Sequence, residues 1–453
     1  MLNSGVMRCI LAIVAATVAM SSAAVNAQQA EQPPPIRTTA PFPNRANEVM
    51  PSWLRVRGEF RERFEGFNHA AFTPSRDDSY WLSRLRLNAA ITPGRRWSAL
   101  VQVQDARVAG KGVGPTAPPF RGPLDLRMAY TDVGDMQKSA FAVRAGRQEL
   151  ALGEQRLIGH LNWTNTARTF DGARATLRRG GYQVDLFGAS VVRIQEDSFD
   201  KSGNGNRLAG AYGGLSTLIP KAVVEPYLFW RADRNLRTET ATTGNLNQTT
   251  IGTRFNGKLP AGLDYGVEMA AQSGSLGSDS ISAWAGHWQL RETFTGTLNV
   301  KLIGEFNYAS GDSNPTDGAR GTFDQLYPTG HDKLGLADQV GWKNIRHARA
   351  GLELTPVRGW PITLSHHGWW LANQNDALYN AGGTAIARVN GGAASAYVGQ
   401  EVDVQLTRAL TPQIALAGGY AHMFTGPFLE QATPGANYSY PYVMVTYVFL
   451  AER

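Results

Sequence analysis

The chain is 453 residues long, carries a formal net charge of +7 and contains one cysteine, Cys9. Beyond the N-terminal segment no stretch approaches the roughly 20 apolar residues of a membrane-spanning helix, which excludes a helical membrane protein. A lone cysteine excludes a disulfide framework and a thiolate metal centre. Such basicity usually signals nucleic acid. Here much of the arginine lies inside periodic segments behind an export signal, so an anionic solute is the expected partner and nucleic acid is not.

Residues 1–27 read as a signal peptide: Arg8 supplies the positive start, Ile10 to Met20 the apolar run, and Val25-Asn26-Ala27 the small-residue cleavage site. Residues 28–52, with Pro33, Pro34, Pro35, Pro41, Pro43 and Pro51, lack periodicity and read as a mobile periplasmic lead. From 53 to 449 the chain predicts about 18 strands, at 53–64, 80–92, 96–108, 125–133, 139–150, 168–179, 181–193, 207–218, 222–233, 248–258, 262–273, 279–290, 294–308, 345–356, 360–371, 396–407, 411–423 and 438–449. A short tail, 450–453, follows.

The first strand shows why. Leu54, Val56, Gly58, Phe60 and Phe64 fall on one face; Arg55, Arg57, Glu59, Arg61 and Arg63 fall on the other. A period of two with one apolar and one charged face suits a wall between lipid and a water-filled lumen. Leu85, Leu87 and Ala89 against Arg84, Arg86 and Asn88 repeat it. Tight turns such as Thr92-Pro93-Gly94, Arg179-Gly180-Gly181 and Thr411-Pro412 alternate with longer stretches near 65–79, 109–124, 151–167, 194–206, 234–247, 309–344, 372–395 and 424–437. That alternation predicts an all-β fold: a transmembrane antiparallel barrel in the outer membrane, with short periplasmic turns and long extracellular loops. Trp53, Phe64, Trp81, Trp97, Tyr130, Phe141, Tyr308, Tyr442, Tyr447 and Phe449 near strand ends read as interface girdles. The two longest external segments, 309–344 and 372–395, are expected to cover or enter the mouth. Asp312, Asp317, Asp324, Asp332 and Asp338 in the first of them are able to pair with lumen arginines.

Enzyme motifs are weak: there is no G-x-S-x-G elbow and no H-E-x-x-H pair. His366 and His367 are strand neighbours and point to opposite faces. Asp312-x-Asn314-x-Thr316-Asp317-Gly318 has its glycine one place late for a calcium loop, and Phe323 stands where the glutamate belongs. No enzyme, metal or cofactor is expected. Strand phase instead turns Arg55, Arg57, Arg61, Arg63, Arg84, Arg86, Arg144, Arg174, Lys301 and Arg349 to the lumen, with Glu59, Asp264, Glu268, Glu305, Glu353, Glu401 and Asp403 as counter-charges. Two readings stand: ion pairs that brace a wide wall, or an arginine excess that favours anion passage. Arg57, Arg61, Arg84 and Arg86 form one guanidinium patch if the register of the first two strands permits.

Several segments carry a more specific signal. Gly146-Arg147-Gln148-Glu149-Leu150, Gly153-Glu154-Gln155-Arg156-Leu157-Ile158-Gly159, Asn162-Trp163-Thr164-Asn165 and Ala167-Arg168-Thr169-Phe170-Asp171-Gly172 resemble the signature of the alginate export family. Leu334-Gly335-Leu336-Ala337-Asp338, Gly341-Trp342-Lys343-Asn344 and Gly399-Gln400-Glu401-Val402-Asp403 extend the likeness over nearly the whole barrel. The resemblance implies an outer-membrane barrel with an arginine-rich lumen that exports an anionic polyuronate. It implies selectivity roles for Arg84, Arg86, Arg147, Arg156, Arg168, Asp171 and Asn344. Arg147 conflicts with strand phase, which turns it toward lipid unless a bulge intervenes or it sits above the membrane. The expected function is passive passage of an anionic polysaccharide; the alternatives are a porin for small anions or organic acids and, from another class, a barrel enzyme acting on lipid or glycan. Such a barrel implies outer-membrane lipid, the barrel assembly machinery and periplasmic export partners around it.

Overall fold

The computed structural model describes residues 46–450 except 240, 260 and 261. The signal peptide, the proline-rich part of the lead and residues 451–453 lie outside the described residues. Eighteen long strands follow one another: β1 (Leu54–Phe67), β2 (Asp78–Ile91), β3 (Trp97–Ala109), β4 (Gly122–Val133), β5 (Phe141–Gln148), β6 (Phe170–Arg179), β7 (Tyr182–Arg193), β8 (Lys201–Leu215), β9 (Ala222–Arg237), β10 (Thr243–Lys258), β11 (Asp264–Leu276), β12 (Asp279–Phe294), β13 (Val300–Ala309), β14 (Ile345–Val357), β15 (Trp360–Leu371), β16 (Tyr397–Ala409), β17 (Ile414–Thr425) and β18 (Tyr438–Phe449). Each pairs antiparallel with the next, and β18 returns to β1 with Gly58 opposite Phe449 and Glu65 opposite Tyr442. The sheet is closed. Closure is what lipid demands, because each unpaired backbone group there costs several kcal/mol.

Period-two alternation sorts the side chains. Phe60, Leu85, Leu87, Val101, Ile251 and Val443 are exposed on the outer face, while Arg61, Arg63, Arg84 and Arg86 are buried on the inner one. Those arginines are buried because the barrel is not hollow. Leu150, Leu152, Leu157 and Ile158 from segment 149–169 join Phe323, Leu326, Leu334, Leu336 and Trp342 from segment 310–344 in one apolar core inside it. Phe170, Phe187, Phe229 and Trp369 on the strands complete that core.

Four differences from the sequence expectations have physical causes. Residues 46–49 of the lead form a helical turn, α1 (Ala46–Val49), instead of a mobile strip. Asn47 binds it to the wall, its Nδ2 donating to the carbonyls of Val56 and Leu450 at 2.7 Å each. Two external connections are short: β9 runs on to Arg237 and β10 begins at Thr243, and β11 and β12 are joined by Gly277 and Ser278 alone. Gly277 adopts φ +57°, and a Cβ on Gly244 would lie 2.6 Å from its Cα, so only glycines allow these hairpins to touch. Tyr130 and Tyr442 face inward and not toward a girdle: Arg144 lies over the Tyr130 ring at 3.7 Å, and Trp163 meets Tyr442 edge-on at 4.9 Å. Finally, segment 149–169 enters the lumen together with the two longest loops. A short helix, α2 (Pro427–Ala432), lies in the last external connection.

Candidate functional site: an arginine cluster under an inward loop

Register builds the site. Arg61 on β1 stands opposite Arg84 on β2, and Arg63 and Arg86 flank that pair on the same inward face. Arg127 on β4 joins them, and all five are 5 % exposed or less. Adjacent guanidinium groups repel unless counter-charges intervene. Three carboxylates do: Arg84 Nη2 lies 2.6 Å from Glu59, Arg63 Nε lies 2.6 Å from Glu65, and Arg127 bonds Glu149. Burial would raise the Glu149 carboxyl; Arg127, helped by His160 and Arg86, overrides that and holds it at about 2.

The remaining partners are neutral. Segment 161–167 crosses the cluster and presents its carbonyls to it. Arg61 Nη1 donates to Asn162 O at 3.1 Å and its Nη2 to Trp163 O at 3.1 Å. Arg84 Nη1 reaches Asn162 O at 3.0 Å, Arg63 Nη1 reaches Trp163 O at 2.6 Å, and Arg86 Nη1 reaches Asn162 Oδ1 at 2.7 Å. The Trp163 ring lies between Arg63, whose Cζ is 4.0 Å from its centroid, and His331, stacked at 3.8 Å.

The opposite wall is balanced. Arg254 pairs with Glu154 at 2.8 Å and with Glu225, while Arg156 pairs with Glu305 at 2.9 Å. His287, Asn307, His347 and His367 form a hydrogen-bonded row across β12 to β15, each link 2.8 Å long. His367 Nε2 closes the row at 3.2 Å from Asp403. The surplus of positive charge therefore sits on the β1–β4 side.

The residues singled out from sequence divide accordingly. Arg61, Arg84 and Arg86 converge in the cluster, and Arg57 lies inward beside them, opposite Asn88. Arg174 pairs with Asp185 at 2.9 Å, and Arg349 donates to Ser365 Oγ at 2.9 Å and lies 3.6 Å from Glu305. Arg168 binds loop to loop, its Nη1 donating to Gly159 O and Pro328 O. Arg147 and Asp171 pair at 2.8 Å across β5 and β6 on the outward face, near the external strand ends. They do not line the lumen, because strand phase holds in β5 without a bulge between them. Asn344 is fully buried and clasps the two longest loops, its Nδ2 donating to Asn373 O and Ala377 O. Of the five loop acids, Asp324 alone bonds a lumen arginine among the described residues, Arg231 at 2.6 Å. Sequence reasoning missed Arg127, although Leu124 and Leu126 opposed to Asp125 and Arg127 show the same alternation.

A closed barrel of eighteen antiparallel strands with an apolar outer belt and a charged interior defines an outer-membrane channel of the Gram-negative type. The chain belongs to the alginate export family, whose match spans residues 52–442. Among solved structures it is similar in fold to OccAB2 of Acinetobacter baumannii, with a TM-score of 0.59, 12 % identity and coverage of 87 % of this chain and 98 % of that one. OpdK of Pseudomonas aeruginosa, solved with vanillate, gives a TM-score of 0.57, 13 % identity and coverage of 87 % and 98 %. A BenF-like porin from Pseudomonas fluorescens Pf-5 gives 0.57, 11 % identity and coverage of 88 % and 99 %. No curated protein matches the sequence.

Proposed function

We propose that the protein is a passive channel for carboxylate-bearing solutes, and that an acidic polysaccharide of the alginate type is its cargo. The observation that carries this reading is the cluster of Arg61, Arg63, Arg84, Arg86 and Arg127, five guanidinium groups served by three carboxylates. Guanidinium is planar, permanently charged and matched to carboxylate geometry. Cargo carboxylates exchange water for arginine at such a wall, and each hold stays shallow enough to be left again. Family membership supports a polyuronate as cargo.

A second reading, a porin for small organic acids, is favoured by one observation: segments 149–169 and 310–344 fill much of the lumen. OpdK, solved with vanillate, shows a small carboxylate with a barrel of this fold. Single-channel recording separates the two. Current block by oligouronates that deepens with oligomer length supports polymer cargo. Steady galacturonate flux with no added block by longer oligomers supports the porin. Preference for potassium over chloride in a salt gradient defeats both.

A further inference from the structure

We propose that residues 162–164 are a built-in substitute for cargo: their carbonyl oxygens occupy a carboxylate-binding subsite formed by Arg61, Arg63, Arg84 and Arg86, and an anionic solute displaces them. The inference rests on the anion-channel reading above and adds how that site is regulated.

Three observations carry it. First, the partners do not match the charge. Neutral carbonyls of Asn162, Trp163 and Thr164 answer Arg61, and Asn162 Oδ1 answers Arg86. Among the described residues neither of these two arginines has the carboxylate that Arg63 finds in Glu65 and Arg84 in Glu59, so a solute carboxylate would add a counter-charge that the segment lacks. Second, donors are left over. Arg61 Nε, Arg84 Nε and Arg86 Nη2 are buried without a protein acceptor and belong to guanidinium groups directed at this segment. Buried donors of this kind are normally satisfied, so the subsite holds capacity that the segment does not use. Third, the segment is strained where it would hinge. Leu161 (φ +51°) and Ala167 (φ +58°) bracket it in the left-handed region that side chains bearing a Cβ avoid.

What holds the segment down is equally specific. The buried Asn165 has two N–H donors on Nδ2 shared among the carbonyls of Ser83 at 3.1 Å, Arg107 at 2.9 Å and Phe120 at 3.0 Å, which anchor it to β2, β3 and the loop before β4. Trp163 is its second anchor, between Arg63 and His331. A solute that reaches the cluster competes with the carbonyls for the same N–H groups. Its apparent affinity is lowered by the fraction of time the segment is seated.

The test uses the full-length protein in lipid, with galacturonate as probe. Hydrogen exchange on the unaltered protein is the primary measurement: the amides of residues 162–167 exchange faster when galacturonate is added. Asn165→Ala and Trp163→Ala, checked for heat-modifiable migration, each lower the half-blocking concentration of galacturonate about tenfold, equivalent to about 1.4 kcal/mol. Exchange that is unchanged or slowed by galacturonate makes the segment a fixed part of the wall and overturns the proposal, whatever the variants do. Failure of the anion-channel reading looks different: the unaltered protein then prefers potassium over chloride in a salt gradient.

Discussion

Arg84 is the residue on which bracing and selectivity meet. Its Nη2 pairs with Glu59 at 2.6 Å, while its Nη1 donates to Asn162 O and Thr164 O. One guanidinium thus binds wall to wall and wall to loop. Arg86 differs: its Nε bonds Gln104 and its Nη1 bonds Asn162, so its charge has no carboxylate in direct contact. A buried charge left so is costly unless something anionic visits it. Replacing both, Arg84→Glu with Arg86→Glu, reverses the local sign and places carboxylates against Glu59. Barrel assembly is expected to survive, since the backbone ladder of β1 and β2 is untouched, and anion preference falls. Reversal potential in a salt gradient measures it. A folded double variant with unchanged preference would reduce the cluster to bracing.

At the scale of elements, strands and loops differ in how far sequence exposes them. Strands were legible because alternation is enforced residue by residue: one face must suit lipid and the other the interior. Leu85 against Arg86 already states which way β2 faces. Length alone pointed the two longest loops at the mouth, but the residues they bury and the inward course of segment 149–169 were not legible, because a buried loop has no period. Phe323, Leu326, Leu334, Leu336 and Trp342 are scattered without spacing, yet all are buried. Their apolar character is the available signal, and it lies interspersed with the acids of segment 310–344. One of those acids makes a loop contact sensitive to pH. Burial and the adjacent Asp312 carboxyl push Glu239, in the 238–242 loop, up to about 7. Its folded value lies above the usual carboxylate value, so the protonated contact is fully present at acid pH, below the unfolded value, and is lost as pH rises through about 7. Hydrogen exchange in 312–320, corrected for intrinsic rates, is therefore expected to lose protection progressively as pH rises from the unfolded value of 4.5 to about 7, and to level off above it. Glu239→Gln removes that dependence. An identical pH profile in the variant would place the titrating group elsewhere.

For the whole molecule the lumen is electrostatically lopsided, and this sets how its selectivity responds to salt. The β9–β16 side neutralises itself through Arg254 with Glu154 and Glu225 and Arg156 with Glu305. The β1–β4 side keeps the surplus, and the chain as a whole is positive at +7. Two contributions to anion handling follow, with different ranges. Attraction of small anions to the lumen acts over many ångströms and is screened once the Debye length shrinks from about 10 Å at 0.1 M to about 3 Å at 1 M. Contact between a carboxylate and buried guanidinium groups acts at hydrogen-bond distance and is screened far less. Chloride-over-potassium preference is accordingly expected to decline steeply between 0.1 M and 1 M salt, while the half-blocking concentration of galacturonate rises much less over that interval, because its binding depends on direct contact. Recording both in the same bilayers decides between field and contact. If block weakens in step with chloride preference, the carboxylates never reach the arginines, and the channel selects by long-range field alone.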